Sequence, residues 1–254
     1  TPWKWFKRLK KIADDLGIIF FSTAFDKTAV DLLETLNVPI HKIASFELVD
    51  LPLIEYAAKT KKPLIMSTGM ATLSEIKEAV NTARNAGAKD IILLKCVSSY
   101  PAKPEEINLR TIPHMKKIFN YPIGLSDHTL GIGVSVAAVS LGAKVIEKHF
   151  TLSRKYKTPD AFFSIEPREL KMLVENVRIA EKALGKVCYG PTDEEKKNRV
   201  FRRSIFVVKD IKKGEIFTEE NVRSIRPADG LLPKYINDVF NKKAKKDIKK
   251  GTPL

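Results

Sequence analysis

Tyr121-Pro122-Ile123-Gly124-Leu125-Ser126-Asp127-His128-Thr129 and Ala143-Lys144-Val145-Ile146-Glu147-Lys148-His149-Phe150-Thr151 are two short apolar runs, each closed by a histidine, with an apolar segment rich in small residues between them. That order reads strand, helix, strand. If the strands are parallel neighbours, both histidines emerge at the same edge of one sheet, where a metal ion or an anionic substrate fits between them. A lone histidine at a strand end is commonly just a satisfied polar residue; two at matching positions on successive strands point to a shared ligand.

The alternation continues outward in both directions. Toward the N-terminus lie the strand-like runs Asp90–Ser98, Pro63–Gly69, His41–Ser45 and Ile18–Thr23. Helical patterns separate them: one from Thr28 to Leu36, one beginning near Pro52, and one opened by the capping box Thr72-Leu73-Ser74-Glu75 and stopped at Gly87. Ahead of the first strand, Trp5, Phe6, Leu9, Ile12, Ala13 and Leu16 recur at helical spacing up to Gly17. Toward the C-terminus, a polar loop to about Ser164 leads into a helix with the apolar stripe Leu170, Leu173, Val174, Val177, Ala180 and Leu184. The spacing predicts six strands of a parallel sheet with right-handed crossovers. Their polar residues gather at the C-terminal ends, the edge that carries the chemistry of a (β/α)8 barrel. Six units do not close an eight-stranded barrel, so two βα units are expected ahead of Thr1; without them, open edges invite aggregation or borrowed strands.

Around Cys188 the pattern gives way to a polar, charged stretch containing Gly190-Pro191. Beyond it, Ser204–Val208 and Val222–Pro227 read as extended, with turns at Lys213-Gly214-Glu215 and Lys249-Lys250-Gly251. We therefore divide the chain into a partial α/β barrel over residues 1–187, a linker over 188–202 and a small β-rich domain over 203–254. A module of that size buries a modest core and is expected to pack against the barrel.

Composition narrows the function. In 254 residues carrying a net charge of +15, much of the excess sits in the run from Lys242 to Lys250. It has neither interleaved aromatics nor the spacing of a DNA-binding motif, and it reads as a solvated face rather than a nucleic-acid site. The apolar stretches are of strand length and no signal-peptide pattern opens the chain, so a membrane partner is not expected and a cytoplasmic setting is. Cys96 and Cys188 are the two cysteines, too few for a disulfide framework and without a Cys-x-x-Cys partner.

Lys42 among strand-end serines and threonines suits a phosphate: hydroxyls donate hydrogen bonds and the ammonium supplies a point charge. His128 and His149 suit a divalent first-row ion. Asp127 and Glu147 are adjacent to this chemistry, but alternation is taken to point them to the opposite face, and neither is chosen as a ligand. His41 and His114 are assigned to structure. Glu47, following the Lys42 strand, is a candidate acid, base or hydroxyl-binding group.

These residues resemble the sialic acid synthases and their pseudaminic and legionaminic relatives. The resemblance rests on Phe21-Ser-Thr-Ala-Phe-Asp26, Lys42-Ile-Ala-Ser45 with Glu47, Ser67-Thr-Gly-Met70, Cys96-Val-Ser-Ser-Tyr-Pro101, Gly124-Leu-Ser-Asp-His-Thr129, Glu147-Lys-His-Phe150 and Pro159-Asp160, in that order. The C-terminal module, with Val207-Val208-Lys209-Asp210-Ile211 and Arg226-Pro227, is similar to the antifreeze-like (SAF) domain of that family. The resemblance implies a TIM-barrel enzyme dependent on manganese or magnesium. It would condense phosphoenolpyruvate with an N-acetylated amino-deoxy hexose to a nine-carbon α-keto acid, with release of phosphate. On this basis His128 and His149 hold the metal, Thr23, Lys42, Ser45, Ser98 and Ser126 bind phosphoenolpyruvate, and Glu47, Tyr100 and Asp160 face the sugar. Arg226 reaches the sugar's acyl group in the partner's site, which implies a domain-swapped homodimer.

Within the family, Trp3-Lys4-Trp5, Lys95-Cys96 and Phe162-Phe163-Ser164-Ile165-Glu166-Pro167 resemble the pseudaminic branch; N-acetylneuraminate and diacetyllegionaminate synthesis are the alternatives. Ser98 and Thr158-Pro159-Asp160-Ala161 depart from common family patterns and bear on which sugar is used. The family's first two strands carry a proton-transfer glutamate and further phosphate ligands, so residues 1–254 alone are expected to be inactive. Two other readings compete: a Schiff-base aldolase using Lys42, Lys95 or Lys148, and a glycan- or nucleic-acid-binding C-terminal module on an inert barrel.

Overall fold

In a computed structural model describing residues 1–254, the polypeptide forms two units, Thr1–Gly185 and Lys186–Leu254. The first begins with α1 (Phe6–Asp15) and α2 (Lys27–Thr35) and then alternates strictly: β1 (His41–Ile43), α3 (Leu51–Ala58), β2 (Leu64–Ser67), α4 (Leu73–Asn85), β3 (Ile91–Cys96), α5 (Thr111–Phe119), β4 (Ile123–Asp127), α6 (Gly133–Ser140), β5 (Ile146–Lys148) and α7 (Pro167–Leu184). The five strands form one parallel sheet in the order β1-β2-β3-β4-β5. Sequential order with a helix in every crossover is the geometry of a (β/α) barrel wall.

Five strands form where six are predicted. Ile18–Thr23 joins the sheet only through a single parallel bridge, Thr23 to Lys42. Continued in register, that pairing would set Phe20 against Pro39, which has no N–H to donate, and the chain before Pro39 turns away at Asn37, where φ is 49°.

Local signals set the helix boundaries. Asp26 caps α2 by accepting from the Ala29 N–H, Asp50 caps α3 through Leu53, and Thr72 with Glu75 closes a complete capping box on α4. The core lies between sheet and helices. Ile43, Leu64, Met66, Ile91, Leu93, Ile123 and Leu125 pack there against Ile54, Ala57, Ile76, Ala79, Ala83, Ile112 and Met115. Of the predicted stripe on α7 only Leu173 is buried; Leu170, Val174 and Leu184 are exposed, and α1 buries no residue. Phe6 of α1 does meet Phe20 edge-on, at 6.1 Å.

The second unit contains α8 (Asp193–Lys197), β6 (Ser204–Val207), β7 (Val222–Ile225) and α9 (Ile236–Val239). The stretch predicted as a linker thus carries a short helix with its own Thr192–Glu195 capping box. β6 and β7 pair antiparallel around Ile205, Val207, Ile211, Val222 and Ala244. No helix of the chain is long and apolar enough to cross a membrane.

Candidate active site

Strand register brings the two histidines together. Asp127 of β4 pairs with Lys148 of β5, so His128 and His149 leave the sheet side by side. Their rings stand 5.2 Å apart at 68°. Gly124 permits this closeness: a side chain there would meet the Val145 carbonyl at 2.4 Å and Leu94 at 2.6 Å. His128 Nδ1 lies 2.7 Å from the Val97 carbonyl, which can only accept, so Nδ1 carries a proton and, in the neutral ring, Nε2 is the nitrogen with the lone pair. The Tyr100 ring covers His128 at 4.3 Å, and Phe163 supports His149 at 4.9 Å. Asp160 places Oδ2 3.6 Å from His149 Nδ1.

Beside the histidines lies a basin of hydroxyls around one ammonium. Lys42 is buried, and its Nζ donates to Ser67 Oγ at 2.8 Å and to the Ile43 carbonyl at 3.2 Å. Ser45 and Ser98 share a hydrogen bond of 2.8 Å, and Thr23 is bridged to the Lys42 backbone. Gly69, with φ at 42°, lets the loop after β2 close over this pair, since a Cβ would fall 2.4 Å from that of Ser45. Burial raises the Cys96 thiol's pKa, but hydrogen bonding with His128, Ser126 and Ser98 outweighs it and leaves the net direction downward. Burial raises the Tyr100 phenol, reinforced by the negative charge of Cys96, Asp160 and Glu147.

Glu147 is the residue that sequence reasoning misplaced. It stands two residues before His149, and side chains two apart on a strand share a face. Its Oε1 accepts from Ser126 Oγ at 2.8 Å, and its Oε2 lies 3.5 Å from Lys42 Nζ. Counting the alternation from His149 rather than from the strand end would have found it. Asp127 does face away: its oxygens accept from Thr129, from Ser135 at 2.6 Å and from the buried Lys148 at 2.9 Å. Glu47 opens a 3-10 turn after β1, and its Oε2 is buried with no hydrogen-bond partner. His41 pairs with Glu34 at 2.8 Å, as a structural residue should. Of the three lysines proposed as Schiff-base formers, Lys148 is committed to Asp127 and Lys95 lies on the helix side of β3, which leaves Lys42 alone in the basin. Arg226 belongs to the second unit, where it is exposed at the end of β7.

The donor set can be tested against a cation. Two imidazoles converge, the Nδ1 of one engaged by the Val97 carbonyl, and no third His, Cys, Asp or Glu completes a cluster. This fits an open site in which water and substrate oxygens supply the remaining positions, and nitrogen donors suit manganese better than magnesium.

A parallel β/α wall with a ring of hydroxyls about a buried ammonium and two imidazoles at its carboxyl edge is the arrangement of a barrel enzyme. The chain belongs to the NeuB family, whose model matches residues 1–189, and an SAF domain follows over residues 202–254. It is 45% identical to the pseudaminic acid synthase of Helicobacter pylori, over all of this chain and 75% of that protein. Identity to the N,N'-diacetyllegionaminic acid synthase of Campylobacter jejuni is also 45%, over 96% of this chain and 74% of that protein. The crystal structure of the spore coat polysaccharide biosynthesis protein SpsE from Bacillus subtilis superimposes with a TM-score of 0.69 at 36% identity, covering all of this chain and 76% of that one.

Proposed function

We propose that the protein condenses phosphoenolpyruvate with 2,4-diacetamido-2,4,6-trideoxy-altrose and water, giving pseudaminate, a nine-carbon α-keto sugar acid, and phosphate. The observation that carries this reading is the buried Lys42 ammonium with its ring of hydroxyls directly beside two converging imidazoles. Such a pair of seats suits an anionic enol donor next to a carbonyl acceptor. Similarity to the pseudaminic acid synthase of H. pylori over the whole chain supports the choice of product.

In this reading Lys42, Thr23, Ser45, Ser98 and Ser126 bind the phosphate and carboxylate of phosphoenolpyruvate by charge-assisted hydrogen bonds. Glu147 balances the ammonium and orients Ser126. His128 and His149 hold a manganese or magnesium ion, whose chemistry when bound is Lewis-acid polarisation of the sugar aldehyde. The Val97 carbonyl holds the His128 Nδ1 N–H, which leaves Nε2 as the nitrogen that would bind the ion. Tyr100 and Asp160 line the sugar's side, and the unpartnered Glu47 Oε2 accepts from a sugar hydroxyl. The enol carbon attacks the aldehyde carbon, water adds to the resulting oxocarbenium carbon, and the carbon–oxygen bond to phosphate breaks.

A homodimer in the cytoplasm completes the reading, with Arg226 of the partner subunit reaching the sugar's acyl group. Mixing inactive Arg226→Ala and His149→Ala proteins should restore turnover through hybrid dimers; no recovery would remove the shared site. The sugar is settled by comparing phosphate release with the altrose-series diacetamido sugar, the legionaminic precursor and N-acetylmannosamine. Preference for the first is expected. Preference for the legionaminic precursor, which equal identity to the C. jejuni enzyme favours as the second reading, would change the product but not the reaction.

A further inference from the structure

Residues of β3 that face the helix layer are Ile91, Leu93 and Lys95. The first two are 1% and 0% exposed and belong to the apolar core. A parallel strand covered by helices normally continues such a row with another aliphatic side chain. Here the third place is a lysine. Its Nζ donates to the Cys96 carbonyl at 2.8 Å, burial lowers its pKa, and the one charge acting in its favour is that of Cys96. No carboxylate offsets the desolvation of this ammonium, which leaves it short of an anion.

The side chain borders a cavity of about 960 Å³ between β3, α4 and α5. Ile76, Leu109 and Met115 supply an apolar wall, while Arg110 and His114 stand at the opening of α5, with Glu105 the one acid in the lining. Lys42, Glu47, His128 and His149 take no part in it. A space of that size, mainly apolar with a few convergent polar groups, has the character of a small-molecule site.

We propose that this cavity is a second binding site, separate from the histidine site, for a small anion with an apolar body. The phosphate or carboxylate would meet Lys95 and Arg110, and the body would lie against Ile76, Leu109 and Met115. The inference is independent of the reaction assigned to the histidine site.

Calorimetric titration of the protein with phenyl phosphate, benzoate and inorganic phosphate tests it. Saturable binding of phenyl phosphate or benzoate is expected, with affinity falling about tenfold or more in Lys95→Met and Arg110→Ala through loss of a charge-assisted contact, and unchanged in His149→Ala. Circular dichroism checks each fold, and the surface variant Arg110→Ala carries the test if Lys95→Met does not fold. The proposal is overturned by full affinity in the Lys95 or Arg110 variants, by loss of binding in His149→Ala, or by no saturable binding of any probe. Inorganic phosphate binding as tightly as phenyl phosphate would remove the apolar half of the recognition.

Discussion

His128 donates its Nδ1 N–H to the Val97 carbonyl, and that one hydrogen bond fixes which nitrogen of the neutral ring is left to a ligand. In the full-length enzyme, His128→Ala and His149→Ala should each abolish metal-dependent phosphate release while leaving the far-ultraviolet circular dichroism unchanged; full activity in both would make the pair structural. Glu147 is the second residue at stake. Glu147→Gln keeps the shape and removes the charge beside Lys42, so kcat/KM should fall. A charge-assisted hydrogen bond worth about 1.5–3 kcal/mol corresponds to a loss of roughly ten to a hundredfold. Steady-state kinetics with phosphoenolpyruvate varied would check this, and an unaltered kcat/KM would place the carboxylate outside the reaction.

At the scale of elements, the sheet was legible because each strand pairs with its sequence neighbour and each helix carries its own start signal. The capping box at Thr72 and the glycine after α7 both stand where their spacing puts them. Two things were not legible. The Ile18–Thr23 run has strand composition, yet its failure to form a ladder is decided by Pro39 and Asn37 in the partner segment. The faces of β5 were misassigned because a strand of three residues leaves the alternation without an anchor. The basin could be foreseen as a set of residue types at strand ends, whereas the Ser45–Ser98 and Ser126–Glu147 bonds follow only from register. Lys148→Met tests the element pair β4 and β5. It strands the Asp127 carboxylate in the interior, and denaturant unfolding should show a loss of about 3–5 kcal/mol. Adding Asp127→Asn should recover part of it, and additive losses would argue against direct pairing.

For the whole molecule, acidification is the informative perturbation. Burial holds His41 below its ordinary pKa despite the Glu34 carboxylate: as the neutral tautomer it donates from Nε2, and protonation would place a second N–H at the buried, partnerless Nδ1. The unfolded chain therefore binds a proton that the folded one resists, so this contribution is full above about pH 6.5 and is lost as pH falls below it. A second decline follows near and below about pH 4.5, where Glu34, despite its burial, is held down by Lys62 and His41 and must take up its proton. Urea midpoints recorded from pH 8 to pH 4 should show the first decline in the native chain and not in His41→Gln. A midpoint independent of pH between 8 and 5 would remove His41 from the account.

The buried Asp127–Lys148 pair has a meaning beyond its energy. Along β5 the side chains run Glu147 inward, Lys148 outward, His149 inward, so a slip of one residue would bring an ammonium to the mouth and send an imidazole into the helix layer. A strand this short has little apolar pattern with which to refuse that slip. The ion pair, closed further by Ser135 and the Thr129 carbonyl, accepts only a cation at position 148 and so acts as a register lock. A one-residue deletion in the 141–145 turn should thus leave the histidines facing the mouth while Lys148 is present, and let the strand slip once Lys148→Met is added.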